Sequence, residues 1–106
     1  MTVEKELDIV RALVSDYFDK HGEQLLPAYL RITEKEHIVY IGTSVLCSKW
    51  KVGYPGGDFV KAIVDNDLSA AFSRADHINE HCVKFYLMLM CNVEIPTSLL
   101  KKLTNE

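Results

Sequence analysis

Thr33-Glu34-Lys35-Glu36-His37-Ile38-Val39-Tyr40-Ile41-Gly42-Thr43-Ser44-Val45-Leu46-Cys47-Ser48-Lys49-Trp50 is the stretch whose reading decides the fold. Two patterns compete in it. Thr33 and Glu36 have the T-x-x-E spacing of a capping box. From there Ile38, Ile41, Val45 and Leu46 recur at helical spacing toward Trp50, and Gly53 and Pro55 supply a stop. Against helix stands Ile38-Val39-Tyr40-Ile41, a run of good strand formers, followed by Gly42, which weakens a helix. Cap and stop together favour the helix. The expected fold is therefore all-α, a single-domain bundle of about five to six helices spanning residues 1–106. The alternative is α+β, with residues 38–47 as a strand.

Working outward, the N-terminal segment reads as a strong helix. Thr2 can cap it, and Glu4, Glu6 and Asp8 suit its positive end. Val3, Leu7, Val10, Val14 and Tyr17 share a face, and Lys20-His21-Gly22 predicts its C-terminus. Pro27 opens a short helix or sits in a turn. Beyond the deciding stretch, Tyr54-Pro55-Gly56-Gly57 is a turn, and Asp58 is placed to cap a helix over Phe59 to Val64. Asp65-Asn66-Asp67 breaks that helix. Leu68, Ala71, Phe72 and Ala75 then follow amphipathic spacing. Asp76 is a candidate cap for a further helix with Ile78, Cys82, Phe85, Leu89 and Val93 on one face, widened by Val83, Leu87 and Met90. A helix this apolar is either central in the core or part of a subunit interface. A last short helix after Pro96 carries Leu99, Leu100 and Leu103.

Composition bounds the partners. A 106-residue chain with 48% hydrophobic and 25% charged residues has ordinary globular content, and its net charge of −3 does not draw it as a whole toward DNA or anionic lipid. No sequence-specific nucleic-acid partner is expected. The charged opening lacks a signal-peptide pattern, and the longest apolar run, Phe85 to Cys91, is too short to span a bilayer, so no membrane partner is expected either. Three cysteines, Cys47, Cys82 and Cys91, sit in apolar context and read as reduced, buried thiols of a cytoplasmic protein.

Residues 53–76, from Gly53-Tyr54-Pro55-Gly56-Gly57 through a Phe59-led helix and Asn66-Asp67-Leu68 to Arg74-Ala75-Asp76, resemble a segment of small accessory proteins of tailed phages and prophages. The resemblance covers about a quarter of the chain. It implies a helical binding protein of the host cytoplasm, one that inhibits a defence protein or sequesters its signal, and not a catalyst.

Four constellations are candidates for chemistry. His77-Ile78-Asn79-Glu80-His81 has the H-x-x-E-H form of the inverted zinc peptidases. A third protein ligand is not evident and the chain is small for a peptidase cleft, so the motif reads as a solvated polar face with no metal bound. The cysteines match no zinc-finger spacing. Lys49-Trp50-Lys51 followed by Tyr54 combines an aromatic face for stacking a base with cations for phosphate. Asn66, Asp67 and Asp76 read as helix caps, and Arg74 as either a partner for these aspartates or a phosphate ligand. The expected ligand-binding residues are Lys49, Trp50, Lys51, Tyr54 and Arg74. The expected function is non-enzymatic: a homo-oligomer, without cofactor or catalytic residues, that binds a nucleotide signal. The alternative is an inhibitor or adaptor that binds a host protein.

Overall fold

The computed structural model describes the backbone of residues 2–104 and the side chains of residues 2–100. Among these residues there are seven α-helices and no strand. They are α1 (Val3–Leu25), α2 (Ala28–Thr33), α3 (Lys35–Trp50), α4 (Asp58–Val64), α5 (Leu68–Arg74), α6 (Val83–Asn92) and α7 (Thr97–Thr104). A single 3₁₀ turn, Asn79–His81, precedes α6. The all-α expectation holds, and residues 38–47 lie wholly inside α3. The number of helices exceeds the expected five to six because short helices flank the two long ones.

Local chemistry explains the boundaries, including those the sequence patterns misplaced. Thr2 caps α1, its Oγ1 accepting from the Lys5 N–H at 3.2 Å. The helix does not stop at Lys20-His21-Gly22. Gly22 stays helical and buried, and α1 continues to Leu25. Pro27 ends it, because the residue before a proline is pushed out of the helical region, and Leu26 is extended. The capping box at Thr33 does not form. Thr33 is the last residue of α2, and its hydroxyl donates backwards to the Tyr29 carbonyl at 2.9 Å. This i−4 bond competes with capping, so α3 starts two residues later, at Lys35. Asp58 does not cap α4 either. It is the first helical residue, Gly57 flanks it, and no side chain caps that end. Asn66 takes a left-handed conformation (φ 57°), and Asp67 caps α5 by accepting from the Ala70 N–H at 3.1 Å.

The core forms where α1, α3 and α6 meet. Val10, Val14, Tyr17 and Phe18 of α1 face Ile38, Val45, Leu46 and Trp50 of α3, with Phe85, Tyr86 and Leu89 of α6 between them, all buried. Phe85 makes edge contacts with Tyr17, Phe18 and Tyr86 at ring-centre distances of 5.8, 5.9 and 5.8 Å. Such pairs add about 0.5–1.5 kcal/mol each beyond burial. The wide apolar face of residues 78–93 is thus used inside the protomer. Leu99 of α7 is buried and Leu100 half exposed, whereas Leu103 lies outside the described side chains. Among the described residues no helix is long and apolar enough to cross a membrane.

Gly42 of α3 packs against α1 and α6 at once. A Cβ there would lie 2.8 Å from Val14 Cγ1 and 3.1 Å from Leu89 Cδ2. Glycine mid-helix costs about 1 kcal/mol relative to alanine, and close packing of α3 on α1 and α6 accounts for its presence. Gly42→Ala is expected to destabilise the fold by about 1–2 kcal/mol, overpacking outweighing the gain in helix propensity. Urea unfolding checks this, and a more stable variant would contradict the packing account.

The thiols divide in two. Cys47 and Cys82 are buried, while Cys91 is exposed, which corrects the expectation that all three are core residues. Burial, reinforced by the Glu6 charge, pushes Cys47 up from 9.0 to about 11. Burial, with Asp76 adding to it, raises Cys82 to about 11 as well. At about pH 8 a thiol reagent should therefore modify Cys91 alone in the folded protein and all three cysteines after denaturation. Raised thiol values favour the fold below the unfolded value, so this contribution is full below pH 9.0 and is lost as pH climbs toward 11. Rapid modification of more than one thiol in the native state would refute the assignment.

Candidate functional site

The turn joining α3 to α4 is held by both its backbone conformation and side chains of α1 and α3. Lys51 and Gly53 both adopt left-handed conformations, with φ of 58° and 62°. A side chain on Gly53 would also press on Cys47 Sγ and Leu7 Cδ2, both 3.1 Å from its Cβ position. Two side chains anchor the turn from below. Glu6 of α1, fully buried, accepts from the Gly53 N–H at 2.9 Å, and Ser48 of α3 accepts from the Gly56 N–H at 2.9 Å. The Val52 N–H donates to the Cys47 carbonyl at 3.0 Å and closes α3.

Between this turn, the end of α3 and one face of α4 lies a pocket of about 600 Å³, within the range of small-molecule sites. Lys49, Lys51 and Lys61 line it together with Ser48, Gly56 and a single acid, Asp65. Lys49 Nζ donates to the Met90 carbonyl at 2.6 Å. Lys51 and Lys61 are exposed and, among the described residues, lie in no ion pair. The pocket thus has a net cationic rim on a chain that is acidic as a whole.

The residues singled out from sequence do not all meet there. Lys49 and Lys51 line the pocket, and Tyr54 stands exposed in the turn between Gly53 and Pro55, which also line it. Trp50 is only 8% exposed and belongs to the core. The expectation that it stacks a base is corrected accordingly. It lies one helical turn beyond buried Leu46, on the inner stripe of α3. Arg74 is exposed in the last turn of α5, pairs with neither Asp67 nor Asp76 among the described residues, and does not line this pocket. Lys61, Ser48 and the Glu6 anchor were missed. The signal for Glu6 was available, because positions 6, 10, 14 and 17 share the buried face of α1.

A larger groove of about 780 Å³ runs between α1 and α3, lined by Asp8, Arg11, Lys35, Glu36, His37 and Tyr40. Its charges largely answer one another. Arg11 pairs with Asp8 at 3.3 Å, and Lys35 with Asp19 at 2.9 Å. Its lining sets Asp8 and Glu36 against Arg11 and Lys35, so it carries no net charge of one sign.

The H-x-x-E-H motif does not lie on one helical face as its spacing suggested. It wraps through the 3₁₀ turn ahead of α6. Asp76 does act as a cap, its Oδ1 accepting from the Asn79 N–H at 2.7 Å, but it caps this turn and not a long helix. Asn79 is buried. Its Oδ1 accepts from the Tyr86 hydroxyl at 3.0 Å and lies 3.2 Å from His37 Nε2. Burial pushes the Tyr86 hydroxyl far above its ordinary value, so it remains a donor. Around this anchor His77, Glu80 and His81 point to solvent with their ligand atoms within 4.8 Å of one another.

Compared with known protein families, curated proteins and solved structures, the chain matches none. Because Trp50 is core, Trp50→Ala is expected to cost roughly 3–5 kcal/mol of stability. Chemical denaturation followed by circular dichroism measures this, and an unaltered midpoint would return Trp50 to the surface set.

Proposed function

We propose that the protein is a non-enzymatic binding protein whose pocket at the α3–α4 turn takes up an anionic, nucleotide-sized molecule. The observation that carries this reading is the convergence of Lys49, Lys51 and Lys61 on one pocket that holds a single acid. Lysine ammonium groups meet phosphate as point charges, and the anchored turn holds the pocket wall in place before a ligand arrives. Tyr54, in the same turn though outside the pocket lining, is the exposed aromatic residue nearest in sequence for stacking a base. The resemblance of residues 53–76 to phage accessory proteins supports a nucleotide signal of host defence as the ligand, sequestered in the host cytoplasm and not turned over.

The second reading, a protein–protein inhibitor or adaptor, is favoured by a different observation. Leu68 and Phe72, one turn apart on α5, are 43% and 52% exposed, and Ile32 of α2 is 82% exposed. Such side chains serve a protein interface better than a nucleotide site. They are also where subunits of a homo-oligomer would meet, since α6 is occupied within the protomer.

Thermal stabilisation against a panel of cyclic and linear nucleotides separates the two. A ligand at 100 times its dissociation constant adds about 2.7 kcal/mol, which corresponds to a rise of roughly 10–20 °C in a domain of this size. Lys51→Glu and Lys61→Glu should abolish the shift while the unliganded melting temperature stays within a few degrees, as expected of exposed positions. No shift with any nucleotide, together with a host protein recovered by wild type and lost with Phe72→Asp, would establish the second reading.

A further inference from the structure

We propose that His77, Glu80 and His81 form a three-ligand site for a borderline divalent transition ion such as Zn²⁺, open on its solvent side. Glu80 Oε1 stands 3.6 Å from His77 Nδ1 and 3.5 Å from His81 Nε2. Neither separation is that of a good hydrogen bond. Both are close to the edge of a tetrahedron of nitrogen and oxygen ligands around zinc, about 3.4 Å for metal–ligand bonds near 2.1 Å. The two imidazoles approach edge to face, with ring centres 5.6 Å apart. The ligand atoms lie within 4.8 Å of one another, and His77 and His81, 84% and 42% exposed, have room to rotate onto one ion.

The backbone beneath the ligands is held independently of them. The His81 N–H donates to the Ile78 carbonyl at 3.1 Å, and the Cys82 N–H to the Asn79 carbonyl at 2.9 Å. Asp76 caps the Asn79 N–H, and the Tyr86 hydroxyl holds the Asn79 side chain from the core. The residue between the ligands thus ties the turn to α6 while its neighbours face out. Two neutral imidazoles and one carboxylate suit zinc, nickel, cobalt or copper better than the all-oxygen shells of calcium or magnesium. The fourth position falls to water or to a ligand from outside the site.

Calorimetric titration of tag-free, chelator-treated protein with Zn²⁺ tests this, with Co²⁺ absorption reporting the coordination geometry. One ion should bind per chain. His77→Ala, His81→Ala and Glu80→Gln should each weaken binding about tenfold or more, with unchanged far-ultraviolet circular dichroism. His21→Ala and Cys91→Ser, exposed potential ligands elsewhere on the chain, should leave the affinity unaltered. Absence of saturable binding, binding that survives the paired His77→Ala and His81→Ala substitutions, or binding lost with Cys91→Ser would overturn the proposal.

Discussion

The contact on which the rest of the structure depends is the meeting of Val14, Gly42 and Leu89. The absence of a side chain at Gly42 lets α3 settle against α1 and α6 together. Val14 is β-branched and has little rotamer freedom to withdraw, so the spacing of all three helices is set at this point. The aromatic cluster around Phe85 then fills the space on one side, and Leu46, Val45 and Trp50 fill the other. Once α3 is seated, its ends are placed as well. One end carries His37 toward the 3₁₀ turn, and the other carries Ser48 and Lys49 toward the lysine pocket.

Two buried polar groups translate that core into ordered surface segments. Glu6 reaches from α1 to the Gly53 amide, and Asn79 accepts the Tyr86 hydroxyl. Each bonds across to another element, Glu6 from α1 to the turn after α3, and Asn79 from the 3₁₀ turn to Tyr86 of α6. A buried group left without such a partner costs roughly 1–3 kcal/mol, so neither turn can move far without that penalty. Local order at both candidate sites therefore comes from the core and not from the loop residues themselves.

Much of the fold was legible in the sequence because it rests on periodicity. The faces of α1, α3 and α6 follow from apolar spacing, and the Ile38-Val39-Tyr40-Ile41 run is helical despite its strand-forming residues because two of its side chains, Ile38 and Val39, are buried against neighbouring helices. Boundaries were less legible. Thr33 and Asp58 have the chemistry of caps, but the chain uses them otherwise: Thr33 bonds back one turn, and Asp58 enters the helix. The candidate site was only partly readable. Lys49 and Lys51 are adjacent in sequence to the turn that forms the pocket. Lys61 arrives from the next helix, and Trp50 is removed to the core by its helical phase. Arg74 lies on α5, which contributes no residue to the pocket lining.

The two candidate sites call on opposite electrostatics, and the fold keeps them on different elements. The lysine pocket gathers positive charge at the C-terminal end of α3, where the helix dipole is negative and cations are favoured before any ligand is present. That dipole favours Lys49 and Lys51 at this end of α3, and Lys61 comes to the pocket from α4. In the proposed reading an anion would meet exposed Lys51 and Lys61 beside a turn already held by Glu6 and Ser48. At the 3₁₀ turn the local charge is instead Glu80 between two imidazoles, with Asp76 close by, an environment that favours cations and disfavours phosphate. The two proposed ligands, an anion and a divalent ion, would thus use separate elements of this chain. What links them is α3, whose opposite ends touch both, so the rigidity set at Gly42 bears on each.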